Sequence, residues 1–346
     1  MGRSAGRRLR SINPFDGSLI GELEVSTAPQ IAEMMERCRA AARKWRRIPV
    51  EERVEALSPL RELLLRRSEE ICELVSREVG EPISETPVTE IHPALESISY
   101  YSEIAPALLA DRKVEYRGRL KSGKAGLNRY EPVGVVAIIS SWVFPFSIPF
   151  TQIIPALVAG NGVIFKPSEH APLIGAMIVD MLKEALPEDL VCLAVGDGEV
   201  GRQIIRAGPD RVVFTGRRET GRRVMIEAAE RLLPLTLCLS GKGTAIVLED
   251  ADLDRAAAGI TYGAFLNSGQ ACGRIEKVYV AESLFDPFVE RISEIVGGLK
   301  TGDPLDPDTE IGPQTTDEGI ERGVRQLEEA VGRGAEEIVG GEVEGR

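Results

Sequence analysis

Residues 133–231 alternate short apolar runs with segments of helical periodicity. The runs are nearly continuous in apolar residues and cover residues 133–139, 162–166, 190–195 and 211–214. The helical segments that follow them cover residues 149–159, 172–186, 199–207 and 219–231. Strands that are apolar on both faces and are joined by helices are typical of a buried parallel sheet. The alternation therefore predicts an α/β fold built on a parallel sheet.

The rest of the chain predicts a helical N-terminal region and a second sheet. Apolar residues recur at helical spacing through about residues 28–110, and residues 113–131 have the polar composition and glycine turns of a hairpin. We expect a second sheet region to start near Thr236. Its two apolar runs and the helix between them cover residues 244–248, 277–281 and about 252–266, respectively.

The length of 346 residues exceeds that of one ordinary core, so two domains are expected. We place their boundary near residue 238, where the pattern of the first sheet ends. Residues 1–237 then carry the N-terminal helices, the hairpin and the parallel sheet, and residues 238–346 form a second α/β domain.

The charge and composition exclude several classes of function. The formal net charge is −12, whereas nucleic-acid binding requires a basic face, so no nucleic-acid partner is expected. The sequence has no apolar run of 18 residues and no apolar stretch after its N-terminal arginines, which argues against a membrane span and a secretory signal. We expect a soluble, cytoplasmic protein. Its five scattered cysteines indicate neither a disulfide framework nor a metal site.

One of those cysteines, Cys272, follows a Gly269-Gln270 pair between a predicted helix and a β-rich run. A thiol on such a turn lies outside the regular backbone ladder and can face a substrate. The thiolate form of cysteine attacks carbonyl carbon atoms. The alternative interpretation is a small buried apolar residue.

An ordered series of motifs surrounds this cysteine. The motifs are Asn13-Pro-Phe-Asp-Gly17, Glu131-Pro-Val-Gly134, Ser141-Trp-Val-Phe-Pro145, Lys166-Pro-Ser-Glu169, Phe214-Thr-Gly216, Leu237-Cys-Leu-Ser-Gly-Lys242, Gly302-Asp-Pro304 and Gly312-Pro313. Together with Cys272, the series resembles the aldehyde dehydrogenase superfamily over nearly the whole chain. The resemblance implies a Rossmann-like parallel-sheet cofactor domain followed by a catalytic domain that carries Cys272. Because members of the family continue considerably further, we expect the catalytic domain to be incomplete here, as in a fragment, a truncated reading frame or half of a split protein.

The resemblance also implies a cofactor, an assembly and a set of contact residues. The implied cofactor-binding residues are Trp142, Lys166, Ser168, Glu169, Gly196, Gly201, Phe214, Thr215, Gly216 and Arg217. Glu169 would accept hydrogen bonds from the ribose hydroxyls and repel a 2′-phosphate, so NAD is favoured and NADP remains the alternative. Arg217 replaces the family's serine, and we expect it to contact the pyrophosphate, or a 2′-phosphate if NADP is used. The hairpin at 113–131 corresponds to the family's oligomerisation element and predicts a homodimer or homotetramer.

The implied reaction is the oxidation of an aldehyde to an acid through a thioester on Cys272. Two of the family's catalytic side chains are missing at the matching positions. Val143 occupies the position of the asparagine that binds the oxyanion, and Cys238 occupies the position of the general-base glutamate. The backbone N–H of Cys272 would then be the remaining oxyanion donor. The sequence does not name the aldehyde.

Three interpretations follow from these replacements. The chain is an NAD(P)-dependent aldehyde dehydrogenase, or a dehydrogenase that transfers the acyl group to coenzyme A, or a non-catalytic member that keeps the scaffold. The coenzyme A-dependent relatives also lack the glutamate but generally keep the asparagine. The family fold places Cys238 and Cys272 across the tunnel from each other, so they form either a reversible disulfide or two independent thiols.

Overall fold

The structure, a computed structural model, describes residues 6–115, 125–343 and 345. Eleven strands lie in this described part. They are β1 (Arg8–Ile12), β2 (Leu19–Glu24), β3 (Arg112–Val114), β4 (Gly126–Asn128), β5 (Val135–Ile139), β6 (Gly162–Lys166), β7 (Val191–Leu193), β8 (Arg211–Gly216), β9 (Leu235–Leu239), β10 (Gly243–Val247) and β11 (Ile275–Val280). Strands β5 to β9 form one parallel sheet, and the other six pair two by two.

Twelve α-helices accompany these strands in the described residues. They are α1 (Ala28–Trp45), α2 (Val50–Leu57), α3 (Pro59–Arg66), α4 (Ser68–Val79), α5 (His92–Leu108), α6 (Ser147–Val158), α7 (Pro172–Ala185), α8 (Gly198–Arg206), α9 (Arg218–Ala229), α10 (Leu253–Phe265), α11 (Phe285–Gly297) and α12 (Asp317–Gly332). A π-helical turn, Pro87–Ile91, precedes α5, and a short 3₁₀ turn, Glu282–Leu284, precedes α11. None of the helices described here is both long and apolar enough to cross a membrane.

The five-stranded sheet has the order β7-β6-β5-β8-β9, with all strands parallel. Every residue of β5 and β6 is buried, as the continuous apolar runs predicted. Because the chain leaves β5 toward β6 and later returns to its other side as β8, the strand order reverses between β5 and β8. A crevice opens at such a reversal, outside the carboxyl ends of the strands, and is where open α/β sheets bind ligands.

Strand β9 corrects the expected start of the second sheet. Leu235–Leu239 pairs with β8 along its whole length, with Cys238 opposite Thr215, so Thr236 lies at the edge of the first sheet. The second sheet contains β10 and β11, a parallel pair joined by α10 and packed on α11. The proposed division into residues 1–237 and 238–346 falls inside β9 and stays a prediction.

Helix α1 illustrates why the N-terminal region is helical. Its buried side chains recur every three or four residues and are Ile31, Met35, Cys38, Ala42 and Trp45. Thr27 and Gln30 close the N-terminus with a capping box, in which the Gln30 side chain accepts from the Thr27 N–H at 2.8 Å. The buried face packs on β5 and β6 and covers one side of the sheet.

The predicted hairpin is present as the antiparallel pair β3 and β4, with Val114 opposite Gly126. The middle of the 113–131 segment, residues 116–124, lies outside the described residues. Its proposed part in an oligomer interface stays a prediction.

Candidate active site

A cavity of about 1290 Å³ opens at the carboxyl ends of β5, β8 and β9. Seven of the residues singled out from the sequence line it: Trp142, Val143, Thr215, Gly216, Arg217, Cys238 and Cys272. They come from distant parts of the chain, and the strand reversal brings them together. The two cysteines are exposed free thiols on the walls of this one cavity.

The turn that carries Cys272 has an unusual backbone. Asn267, Ser268 and Gly269 follow one another in the left-handed region, with φ values of 52°, 54° and 73°. Left-handed residues other than glycine are uncommon and persist where the surroundings hold them. Asn267 is fully buried, whereas Cys272, after the turn, is exposed. The turn is therefore anchored in the protein interior at Asn267 and presents the Cys272 thiol to the cavity.

Several hydrogen bonds hold this turn. The Gly312 N–H donates to Ser268 Oγ at 2.8 Å, and Gln314 Nε2 donates to the Ser268 carbonyl at 3.1 Å. Buried Gln270 accepts from the Thr315 N–H at 2.9 Å. Arg274 Nη1 donates to the Gly269 carbonyl at 2.7 Å. Bonds of this kind offset part of the backbone strain of the turn.

The opposite wall is the loop between β5 and α6. Phe144 has a φ of 47°, and this backbone bend lies between Val143, on the cavity wall, and buried Pro145. Val143 offers only methyl groups to the cavity, so its side chain donates no hydrogen bond to a substrate. The loop ends at the first residue of α6, Ser147.

A segment between α4 and α5 reaches both walls. Glu85 Oε2 accepts from the Asn267 N–H at 2.7 Å, and Glu90 Oε2 accepts from the Ser147 N–H at 2.5 Å. Burial raises the pKa of Glu85 to about 7 and that of Glu90 to about 8, and the two N–H donors partly oppose this rise. Burial and the nearby Glu90 also raise the pKa of Glu81 well above its ordinary value.

Lys166 and Glu169 lie together at the end of β6, away from the lining of the main cavity. Lys166 Nζ donates to the Pro167 and Gly196 carbonyls, both at 2.7 Å, and lies 3.7 Å from Glu169 Oε2. Burial lowers the pKa of Lys166, against the opposing effect of the Glu169 and Asp197 carboxylates. Two of the three ammonium donors are satisfied by backbone, and the third faces Glu169.

Four other predicted cofactor residues also lie off the described cavity lining. Phe214 is packed in the core, and Ser168 is buried. Gly196 has a φ of 152°, and a Cβ there would lie 2.3 Å from the side chain of Val200 in α8. Both the backbone conformation and this close packing therefore require glycine at the position. A Cβ at Gly201 would make only ordinary contacts of 3.7 Å. Their assignment to cofactor contact stays a prediction.

Arg217 stands at the junction of β8 and α9. Its guanidinium forms an ion pair with Glu318 of α12 at 2.5 Å, and this contact lowers the pKa of Glu318. The Arg217 side chain does not cap α9, so the positive end of that helix has no side-chain acceptor from its N-cap residue. Arg274 and Arg322 also line the cavity. The helix N-terminus and these guanidinium groups favour phosphate, although Arg217 pairs with Glu318 and Arg274 with Glu276.

The sequence did not point to Glu85, Glu90 or Glu318, and it marked Gln270 only as part of the turn before Cys272. A glutamate in a polar helical region is normally assigned to the solvent face. The one available signal is the five-residue spacing of Glu85 and Glu90, which does not keep two side chains on one face of an α-helix. Glu90 lies within the π-helical turn Pro87–Ile91, and Glu85 lies two residues before that turn.

Comparison with known proteins gives a single result. The chain matches the model of the aldehyde dehydrogenase family over residues 2–346. It is 39% identical over 328 residues to the 4,4′-diapolycopene aldehyde oxidase of a Methylomonas species, covering 94% of this chain and 62% of that protein. It is 31% identical to the betaine aldehyde dehydrogenase of Vibrio vulnificus, covering 97% of this chain and 68% of the relative.

Solved structures agree with the sequence comparison. The structure of PnpE from Pseudomonas sp. WBC-3 in complex with nicotinamide adenine dinucleotide superposes with a TM-score of 0.91 at 29% identity, covering 96% of this chain and 68% of PnpE. The chain therefore spans 62–68% of the length of these relatives.

Proposed function

The chain belongs to the aldehyde dehydrogenase family, and on that basis we propose that it oxidises an aldehyde to a carboxylic acid through a thioester on Cys272, with NAD or NADP as electron acceptor. The observation that carries the proposal is the single cavity shared by Cys272, Val143 and Arg217. It combines an exposed nucleophile with a phosphate-binding edge at the strand reversal.

The residues present fit a dinucleotide. Arg217, Arg274 and Arg322 place positive charge in the cavity of a chain whose net charge is −12. Arg217 and the N-terminus of α9 suit the pyrophosphate, and Lys166 with Glu169 suits the adenosine ribose hydroxyls. When bound, the nicotinamide ring would supply the acceptor for the hydride that leaves the substrate. The carboxylate of Glu169 favours NAD over NADP.

The covalent chemistry falls to Cys272. Its thiolate adds to the carbonyl carbon of the aldehyde, and the C–S bond that forms moves the carbonyl electron pair onto oxygen. The Cys272 N–H donates to that oxyanion, with no help from the Val143 side chain. Loss of a hydride restores the carbonyl as a thioester, and water then releases the acid and returns the thiol.

Thioester hydrolysis is expected to be the slow step of this cycle. Cys238 provides no carboxylate to activate water. Among the described residues that line the cavity, Glu342 is the one carboxylate, on the exposed segment after α12. This arrangement predicts slow release of the acid. It also keeps two alternatives open, in which coenzyme A accepts the acyl group or the chain binds cofactor without turnover.

Turnover measurements separate these functions. We expect aldehyde-dependent NADH formation without coenzyme A, at a low steady-state rate after a faster burst of up to one equivalent. The trial substrates are those that the relatives' names provide, 4,4′-diapolycopene aldehyde and betaine aldehyde. Strict dependence on coenzyme A would instead support acyl transfer. Cofactor binding with neither burst nor turnover would support the non-catalytic alternative.

Arg217 gives a prediction that does not depend on turnover. An Arg217→Ser variant is expected to bind NAD about tenfold more weakly, because a charge-assisted bond to phosphate is lost. The matched control is Arg218→Ser, since Arg218 is the next residue and its side chain is 81% exposed. Fluorescence titration with NAD measures both. Equal affinities in wild type and Arg217→Ser would remove Arg217 from the cofactor site.

A further inference from the structure

Two glutamates on one short segment bond to the two walls of the cavity. We call residues 81–91 the glutamate segment; it runs from the end of α4 through the π-helical turn to the start of α5. Glu85 accepts from the Asn267 N–H, five residues before Cys272. Glu90 accepts from the Ser147 N–H, four residues after Val143. One segment therefore contacts both the nucleophile turn and the loop opposite it.

Each glutamate provides a hydrogen-bond acceptor for one backbone N–H group. Asn267 begins the run of left-handed residues, and its amide is buried, so this N–H requires an acceptor. Ser147 is the first residue of α6, and the residue before it, Phe146, has no side chain that can cap a helix. The Glu90 carboxylate therefore serves as a cap supplied from outside, at the positive end of α6.

The segment is itself fixed to the region around the turn. The Ile83 N–H donates to the Pro304 carbonyl at 2.8 Å, and Thr315 Oγ1 donates to the Val79 carbonyl at 2.6 Å. Gly80 has a φ of 81°, and a Cβ there would lie 2.7 Å from the Pro313 ring. Val79 and Gly80, directly before the glutamate segment, thus contact residues of the 312–315 stretch that bonds to the Cys272 turn, and the segment itself is held to Pro304 through Ile83.

We propose that Glu85 and Glu90 are positioning residues that set the placement of Cys272 relative to the Trp142–Val143 wall. Neither touches the cavity, since both lie behind its described lining. Each of these carboxyl groups presents an oxygen that accepts from one backbone N–H, Glu85 from Asn267 and Glu90 from Ser147. Glu90 Oε1 has no partner, so the donors of an amide there would stay unsatisfied. The catalytic part of this inference rests on the proposed function, whereas the structural part does not.

Hydrogen exchange of the full chain tests the structural part. Glu85→Ala should speed exchange in peptides that cover residues 266–272 by about tenfold or more, with residues 143–150 unchanged; Glu90→Ala should do the reverse. Glu85→Gln and Glu90→Gln should restore most of the protection, because the amide oxygen still accepts. Glu85→Asp is one methylene shorter and should speed exchange as Glu85→Ala does. It provides a second test if the alanine variant folds poorly.

Glu78→Ala is the matched control. Glu78 is another buried glutamate, but its carboxylate accepts from the Leu173 and Ile174 N–H groups at the start of α7. Its exchange effect should remain near residues 172–175. The positioning role is overturned if Glu78→Ala speeds exchange in both loops. It is also overturned if Glu85→Ala or Glu90→Ala speeds exchange equally in both loops, or in neither loop.

Kinetics test the catalytic part. Glu85→Ala should slow the NADH burst on the order of 100-fold with the KM for NAD unchanged, and Glu85→Gln should recover the burst rate. A rise in the KM for NAD without a slower burst would contradict the assignment to Cys272. If the two alanine variants show the crossed exchange pattern but the wild-type chain shows no turnover, the proposed function is overturned and the positioning contacts remain supported.

Discussion

A Cys272→Ala variant is expected to lose aldehyde oxidation by on the order of 10⁴-fold or more while its affinity for NAD stays within a few-fold of wild type. The loss is large because the thioester is the route by which the aldehyde carbon is oxidised, and alanine forms no covalent bond. Cofactor affinity should persist because the proposed phosphate-binding edge, with Arg217, lies on β8 and α9 rather than on the Cys272 turn. Burst kinetics and NAD titration on the same preparation measure both quantities.

Cys238 is the control that the chain itself offers. It is also an exposed free thiol on the cavity wall, but it sits in the regular strand β9 opposite Thr215, whereas Cys272 sits on a turn. Cys238→Ala should therefore change the rate only a few-fold. Loss of activity in Cys238→Ala and retention in Cys272→Ala would move the nucleophile to Cys238. Equal loss in both would favour a joint role, such as the disulfide between them.

The sheet could be predicted from the sequence because its signal is local. The apolar runs at residues 133–139 and 162–166 match β5 and β6 to within two residues. Their full burial on both faces requires the continuous apolar composition from which they were identified. The runs cannot show strand order, however. The edge strand β9 alternates half-buried and exposed residues, so it lacks the continuous apolar run by which β5 and β6 are identified.

The candidate site could be predicted in part. A cysteine on a turn and an arginine after a strand are visible in the sequence, and the structure places Cys272 and Arg217 on one cavity. The supporting contacts could not be predicted. The left-handed conformation of Asn267 and Ser268 carries no glycine signal, and the burial of Glu90 depends on an amide 57 residues away. Charged residues become buried only where tertiary partners exist, and a single sequence does not display those partners.

Restoring the two missing side chains should increase the rate, with different effects on the two phases. Val143→Asn adds an amide donor to the wall that faces the substrate, and one oxyanion donor contributes on the order of 3 kcal/mol, or about 100-fold. This gain should appear in the burst, because an oxyanion forms when Cys272 attacks, and it should extend to thioester hydrolysis, in which water attack forms an oxyanion on the same oxygen. Cys238→Glu adds a general base, worth about 100-fold to 10⁴-fold, and should appear in the steady-state rate, because that base activates the water that releases the acid.

Stopped-flow measurement of NADH formation resolves the two phases in one experiment. The double variant should gain less than the product of the single gains once one step ceases to limit the rate. A Val143→Asn variant that accelerates only the steady state, or a Cys238→Glu variant that accelerates only the burst, would contradict the assignment of these positions. No gain in either phase, with NAD still bound, would mean that the cavity walls are not held at catalytic distance from Cys272, and the chain would then be a non-catalytic member of its family.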